Sequence, residues 1–132
     1  MKAILTAILL CLMISCLNEK DDYVYYIKKI GAVQIDEALI PDTAKNLEFV
    51  QIKSRASANN GCWKDLNFEL KAINTYEYTL KAYGTYESYG VCPDIMVYRD
   101  TIIQFKPIQK GSYLFYITRK PSEIDIDTML VK

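Results

Sequence analysis

Histidine does not occur anywhere in the 132 residues, and that absence removes both the commonest general base near neutral pH and the commonest metal ligand. Positive charge is not in excess either. Sixteen Lys and Arg face sixteen Asp and Glu, so no surplus of cations is available to neutralise phosphates, and nucleic acid is not expected as a partner. No Gly-rich phosphate loop and no nucleophile elbow is present. No stretch has the two-sided pattern of an amphipathic helix, and no apolar run reaches the roughly 20 residues that a bilayer-spanning helix needs. What is there is ordinary globular content, 51% hydrophobic and 24% charged, in a length that suits one domain with one core. The expected function is non-catalytic, with no cofactor and no metal. Paired carboxylates of the kind that hydrolyse glycosides stay open as an alternative, because their separation of roughly 5 to 10 Å is a tertiary property.

The first fifteen residues read as an address. Lys2 gives a positive start, and residues 3–14 form an apolar run broken only by Thr6, which is a signal-peptide pattern. The run ends in "MISC", residues 13–16, which resembles the lipobox of bacterial lipoproteins. In that family a cysteine behind a small residue is thioether-linked to diacylglycerol and becomes the new N-terminus. The resemblance implies that Ser15 is the small residue and that Cys16 is the lipidation site, carrying palmitate-type acyl chains. Cys11 fits less well, since bulky Leu10 precedes it inside the apolar run. Buried acyl chains contribute about 0.8 kcal/mol per methylene, so two or more of them hold a protein essentially permanently. A plain secretory signal with an incidental cysteine is the alternative.

Cleavage before Cys16 removes 15 residues, leaving 117 with 15 basic and 16 acidic side chains. The expected organisation is a signal peptide over 1–15, an acidic tether over 16–22 and a β domain over 23–132. The tether's "LNEKDD" is polar and charged, as a solvated spacer should be. It also resembles the short acidic signal behind the lipid cysteine of lipoproteins that some two-membrane bacteria export to their outer surface. Leu17 in place of an aspartate fits outer-membrane sorting, again by resemblance. The implied partner is the membrane, reached through the acyl chains, with the domain facing either the periplasm or the outside.

With Cys11 removed and Cys16 acylated, Cys62 and Cys92 remain as an even pair, which an oxidising compartment usually bonds. Closing a loop of about 30 residues stabilises by roughly 3 to 4 kcal/mol in the chain-entropy description. A metal site would have two cysteines and no histidine, short of four zinc ligands, and a catalytic thiol would lack its histidine.

The body reads as strands. "LNFELKA", residues 66–72, alternates strictly, with Leu66, Phe68, Leu70 and Ala72 on one face. "YEYTLKAY", residues 76–83, repeats the pattern after Asn74 and Thr75, so the two runs form a hairpin. Further strands are expected near 32–36, 47–54, 96–105, 112–118 and 125–131, about seven in all. Short strands with Gly and Pro between them argue for an antiparallel sandwich or a small barrel. "KPIQKGSYLFYI", residues 106–117, resembles the approach to the penultimate strand of immunoglobulin-like domains, where a tyrosine packs into the corner and bonds back to the backbone. Tyr113 would be that tyrosine, with Phe115 and Ile117 following it into the core. Phe115 stands where a true immunoglobulin has its second cysteine, and Trp63 adjoins Cys62, so any Cys62–Cys92 bridge is not the usual inter-sheet pin. The fold class expected is an all-β, antiparallel, immunoglobulin-like sandwich, with a lipocalin-like barrel as the alternative.

Eleven tyrosines are the compositional oddity. Tyr76, Tyr78 and Tyr113 sit at apolar-face positions and are expected in the core with their hydroxyls at its edge. "YGTYESYG", residues 83–90, differs: Tyr83, Tyr86 and Tyr89 recur every third residue amid glycine and serine. Such tyrosines present rigid faces at low entropy cost, which makes this expected loop a candidate ligand-binding surface for a glycan or a protein. An ordinary strand end is the competing reading. The acidic run "EIDID" sets Glu123, Asp125 and Asp127 on one face, better read as solvated than as a calcium site, which needs about six to eight oxygens. Together these features imply a membrane-anchored lipoprotein that binds or scaffolds at the cell envelope. A secreted inhibitor or small-ligand carrier is the alternative.

Overall fold

The computed structural model describes residues 25–132, so the expected signal peptide and tether, with Cys11 and Cys16, lie outside the described residues. Eight strands follow one another, and no helix occurs among the described residues: β1 (Ile27–Leu39), β2 (Thr43–Ala44), β3 (Val50–Ala58), β4 (Trp63–Ala72), β5 (Glu77–Ser88), β6 (Val97–Phe105), β7 (Gly111–Lys120) and β8 (Glu123–Val131). Alternation of side chains drives them. In β3, Val50, Ile52, Ser54 and Ala56 are buried while Gln51, Lys53 and Arg55 face water. The strand expected at 47–54 starts later because Leu47 has a positive φ of 64° and turns the chain, its amide donating to the Pro107 carbonyl at 3.0 Å.

The hairpin read from the sequence is present. Ala72 pairs with Tyr78 and Phe68 with Ala82, and the Asn74 side chain accepts from the Tyr76 amide at 2.9 Å to shape the turn. The expected purely antiparallel sandwich is not what forms around it. The strands make one mixed sheet in the order β2-β8-β7-β5-β1-β3-β6, with β4 on the other edge of β5, curled into a half-barrel. Two pairs, β2 with β8 and β5 with β7, run parallel. A turn of a few residues can close only antiparallel neighbours, whereas β5 and β7 are joined through β6, on the far wing of the sheet.

β5 and β1 hold the curl together. The start of β5, Glu77 to Leu80, lies against β7, and the rest pairs with β1 from Ala82↔Val33 to Ser88↔Ile27. β1 then leaves β5 and continues against β3 from Gln34↔Ser57 to Leu39↔Lys53, with a register shift between Ile35 and Glu37 that bends it from one wing to the other. The core lies inside: Ile35, Ile52, Leu80, Tyr113, Phe115 and Met129 have essentially no exposure. Tyr78, Phe105, Tyr113 and Phe115 stack and tilt against one another with centroids 4.8 to 6.2 Å apart.

The corner tyrosine behaves as its local sequence suggests. The Tyr113 hydroxyl donates to the Gln109 carbonyl at 2.8 Å and accepts from the Gln109 amide at 3.1 Å. Tyr78 is half-buried in the aromatic cluster. Tyr76 packs edge-on against Tyr113 but stays at the surface, its hydroxyl donating to Gln109 Oε1 at 2.9 Å.

Candidate binding surface at the disulfide end

At the end of the half-barrel where β1 begins and β5 finishes, Cys62 and Cys92 are bonded, with Cα atoms 5.2 Å apart. The bridge ties the start of β4 to the segment after β5. Backbone bonds reinforce it: the Gly61 amide donates to the Pro93 carbonyl at 2.8 Å, and the Glu87 amide to the Cys62 carbonyl at 2.9 Å.

The stretch expected to be a tyrosine loop is mostly strand, since β5 runs through Ser88 and only Tyr89 and Gly90 turn away. Gly84 accounts for the difference. In the sequence it looks like loop punctuation, but in the fold it faces Gly31 across the β1–β5 pair, and Trp63 and Leu66 lie on its backbone. A Cβ on Gly84 would meet Leu66 Cδ2 at 2.6 Å and Trp63 Cε3 at 3.2 Å, and one on Gly31 would meet Trp63 Cη2 at 2.9 Å. The two glycines are the floor on which the indole rests.

Strand geometry therefore separates the three tyrosines. Tyr83 is half-buried, registered between Ala32 and Asn67, and three strand residues from Tyr86, which puts the two side chains on opposite faces. Tyr86 packs edge-on against Trp63 with centroids 5.3 Å apart, and its hydroxyl lies 3.1 Å from Cys92 Sγ. The Lys29 ammonium sits 5.5 Å from its ring centroid. Tyr89 is exposed and leans on Tyr26 with centroids 4.9 Å apart. Tyr86 and Tyr89 thus share the disulfide end, and Tyr83 does not join them.

The charges nearby are positioned rather than reactive. Glu87 receives Lys64 Nζ at 2.5 Å and the Tyr26 hydroxyl at 3.0 Å. Lys64 first and Tyr26 second hold the Glu87 carboxyl below the usual carboxylate range, and Glu87 in turn raises Lys64. Desolvation first, then the bond to Glu87, raises the Tyr26 hydroxyl. All three move away from neutral pH, so none of these groups is poised to exchange protons there.

Sequence reasoning missed the apolar surface beside these residues. Val91 and Ile95 are exposed, as are Tyr25 and Tyr26 at the start of the described chain, whereas exposed Met96 lines a separate groove with Val33, Ser57, Trp63, Lys120 and Pro121. The available signal was "VCPDIM", residues 91–96, where apolar side chains sit in a segment with no strand alternation. Two open grooves lie elsewhere, one of about 650 Å³ at Lys45, Phe49 and Lys132, the other of about 560 Å³ over Leu39, Lys53 and Ile102. The acidic run is on β8, where Asp125 accepts from Arg119 Nε at 2.7 Å, and Ile124 and Ile126 are exposed while Asp127 is half-buried. Comparison with protein families, with curated proteins and with solved structures gave no match.

Proposed function

We propose that this chain is a bacterial envelope lipoprotein, held at the outer membrane by acyl chains on Cys16, whose β domain binds or scaffolds a partner without catalysing a reaction. The observation that carries the reading is the "MISC" segment behind an apolar leader, residues 3–16. The Cys62–Cys92 bond supports it, since such bonds persist in the oxidising space that an exported domain enters. The paired charges at the disulfide end favour a contact surface over an active site.

Kinship with immunoglobulin-like domains is part of the proposal. It is supported by the Tyr113 hydroxyl's return to the Gln109 backbone and by the antiparallel β1-β3-β6 wing. The parallel β5–β7 pair is its departure from that architecture.

Cys16→Ser tests the function. The substitution is expected to abolish acyl labelling and release the domain from carbonate-washed membranes. Equal retention of wild type and variant would refute lipidation at Cys16.

A further inference from the structure

From Cys16 to Tyr25 the chain advances nine residues, which span at most about 30 Å when extended. An anchored Cys16 therefore keeps the disulfide end of the domain, where Tyr25 emerges, close to the lipid. That end carries an unusual surface. Tyr25, Tyr26 and Tyr89 are 71%, 47% and 66% exposed, with Tyr26 against Tyr89, and in the disulfide-held segment that follows, Val91 and Ile95 are 87% and 60% exposed. Exposed apolar residues clustered in this way mark interaction sites. Lys28 and Lys29 are exposed on opposite faces of β1, with Lys29 over the Tyr86 ring, so they form no single cationic patch.

The backbone under these side chains is already fastened. The Cys62–Cys92 bond and the Gly61 amide's bond to Pro93 hold the segment, and the Ile95 amide also donates to the Pro93 carbonyl at 2.9 Å. Little ordering is left to lose on contact. Tyrosine is the side chain that suits a bilayer's headgroup level, with its ring toward the chains and its hydroxyl toward water.

We propose that this end of the domain docks on the bilayer surface, with Val91 and Ile95 at the acyl boundary and Tyr25, Tyr26 and Tyr89 at headgroup level. The proposal rests on the reading of Cys16 as acylated. It makes the domain a surface-seated module whose far wing, not its disulfide end, faces any soluble partner.

The test uses the full chain, matured in a bacterial host and reconstituted into vesicles of phosphatidylethanolamine and phosphatidylglycerol with and without brominated acyl chains. Val91→Trp places a reporter at the proposed contact. Ile126→Trp places one on β8 opposite Tyr116, which registers with Thr79, nine strand residues and about 30 Å from Ser88. Wild type supplies the Trp63 baseline, and Ile95→Trp replaces Val91→Trp if that variant fails to form the disulfide. Brominated lipid is expected to quench the added emission of Val91→Trp several-fold more than that of Ile126→Trp. Equal quenching, or none at either position, overturns the docking. Intact mass is read separately: a chain without acyl groups refutes the Cys16 reading alone. The docking is then decided by adding the same vesicles to that chain, where selective quenching at position 91 sustains it and its absence overturns it.

Discussion

Replacing Gly84 with alanine asks whether residues 83–90 are a packed strand or a loop. The added Cβ would meet Leu66 Cδ2 at 2.6 Å and Trp63 Cε3 at 3.2 Å, and the Lys64 carbonyl oxygen lies 3.4 Å away. Leu66 is 4% exposed, so its methyl must shift within the packed interior rather than out into water. Overpacking a filled site costs about 1 to 3 kcal/mol. The lower conformational entropy of an unfolded alanine chain returns about 0.4 to 1 kcal/mol. The net expectation, from the middle of each range, is a loss of about 1.3 kcal/mol. At roughly 4 to 8 °C per kcal/mol for a domain near 100 residues, the melting temperature falls by about 5 to 10 °C. Urea unfolding of the oxidised protein reads the same quantity. A double-mutant cycle adds direction: Trp63→Phe shortens the ring that overlies Gly31, so it should relieve Gly31→Ala, whose clash is with Trp63 alone. It should relieve Gly84→Ala much less, because Leu66 remains. An unchanged or raised stability in Gly84→Ala would refute the packed floor.

Tyr86→Ala and Tyr89→Ala should separate in the same assay. Tyr86 is half-buried against Trp63 and the bridge, so its truncation is expected to cost about 1 to 3 kcal/mol, whereas exposed Tyr89 should cost under about 0.5 kcal/mol. Equal costs would show that Tyr86 is not part of the packing. Glu87 gives a pH signature. Its folded pKa is depressed by Lys64 and Tyr26, so its stabilising effect is present above the ordinary carboxylate value of about 4.3 and is lost as pH falls through the folded value. The difference in urea midpoint between wild type and Glu87→Gln should therefore be largest near pH 7 and shrink in acid below about pH 4.3. A difference that is constant across that range would remove Glu87 from the linkage.

Alternation in 66–72 and 76–83 was enough to place β4 and the first part of β5, because a period of two reports which side chains leave water, and burial of one face is what makes a strand. The hairpin around Asn74 was legible because its turn chemistry is local. Tyr113 was legible for the same reason, since its hydroxyl reaches only four residues back. Cys62 and Cys92 were legible by counting, and they are bonded. Tertiary structure alone decided the neighbours. Periodicity says which face of β5 is buried, but not that β7 lies parallel on one half of its edge and β1 antiparallel on the other. That choice is made by side chains far apart in sequence filling one core, and it turned Gly84 from punctuation into a floor for Trp63. It also dispersed the three tyrosines, because residues three apart on a strand point to opposite faces, and gathered Tyr26, Tyr89, Val91 and the bridge at the end where the chain enters the domain.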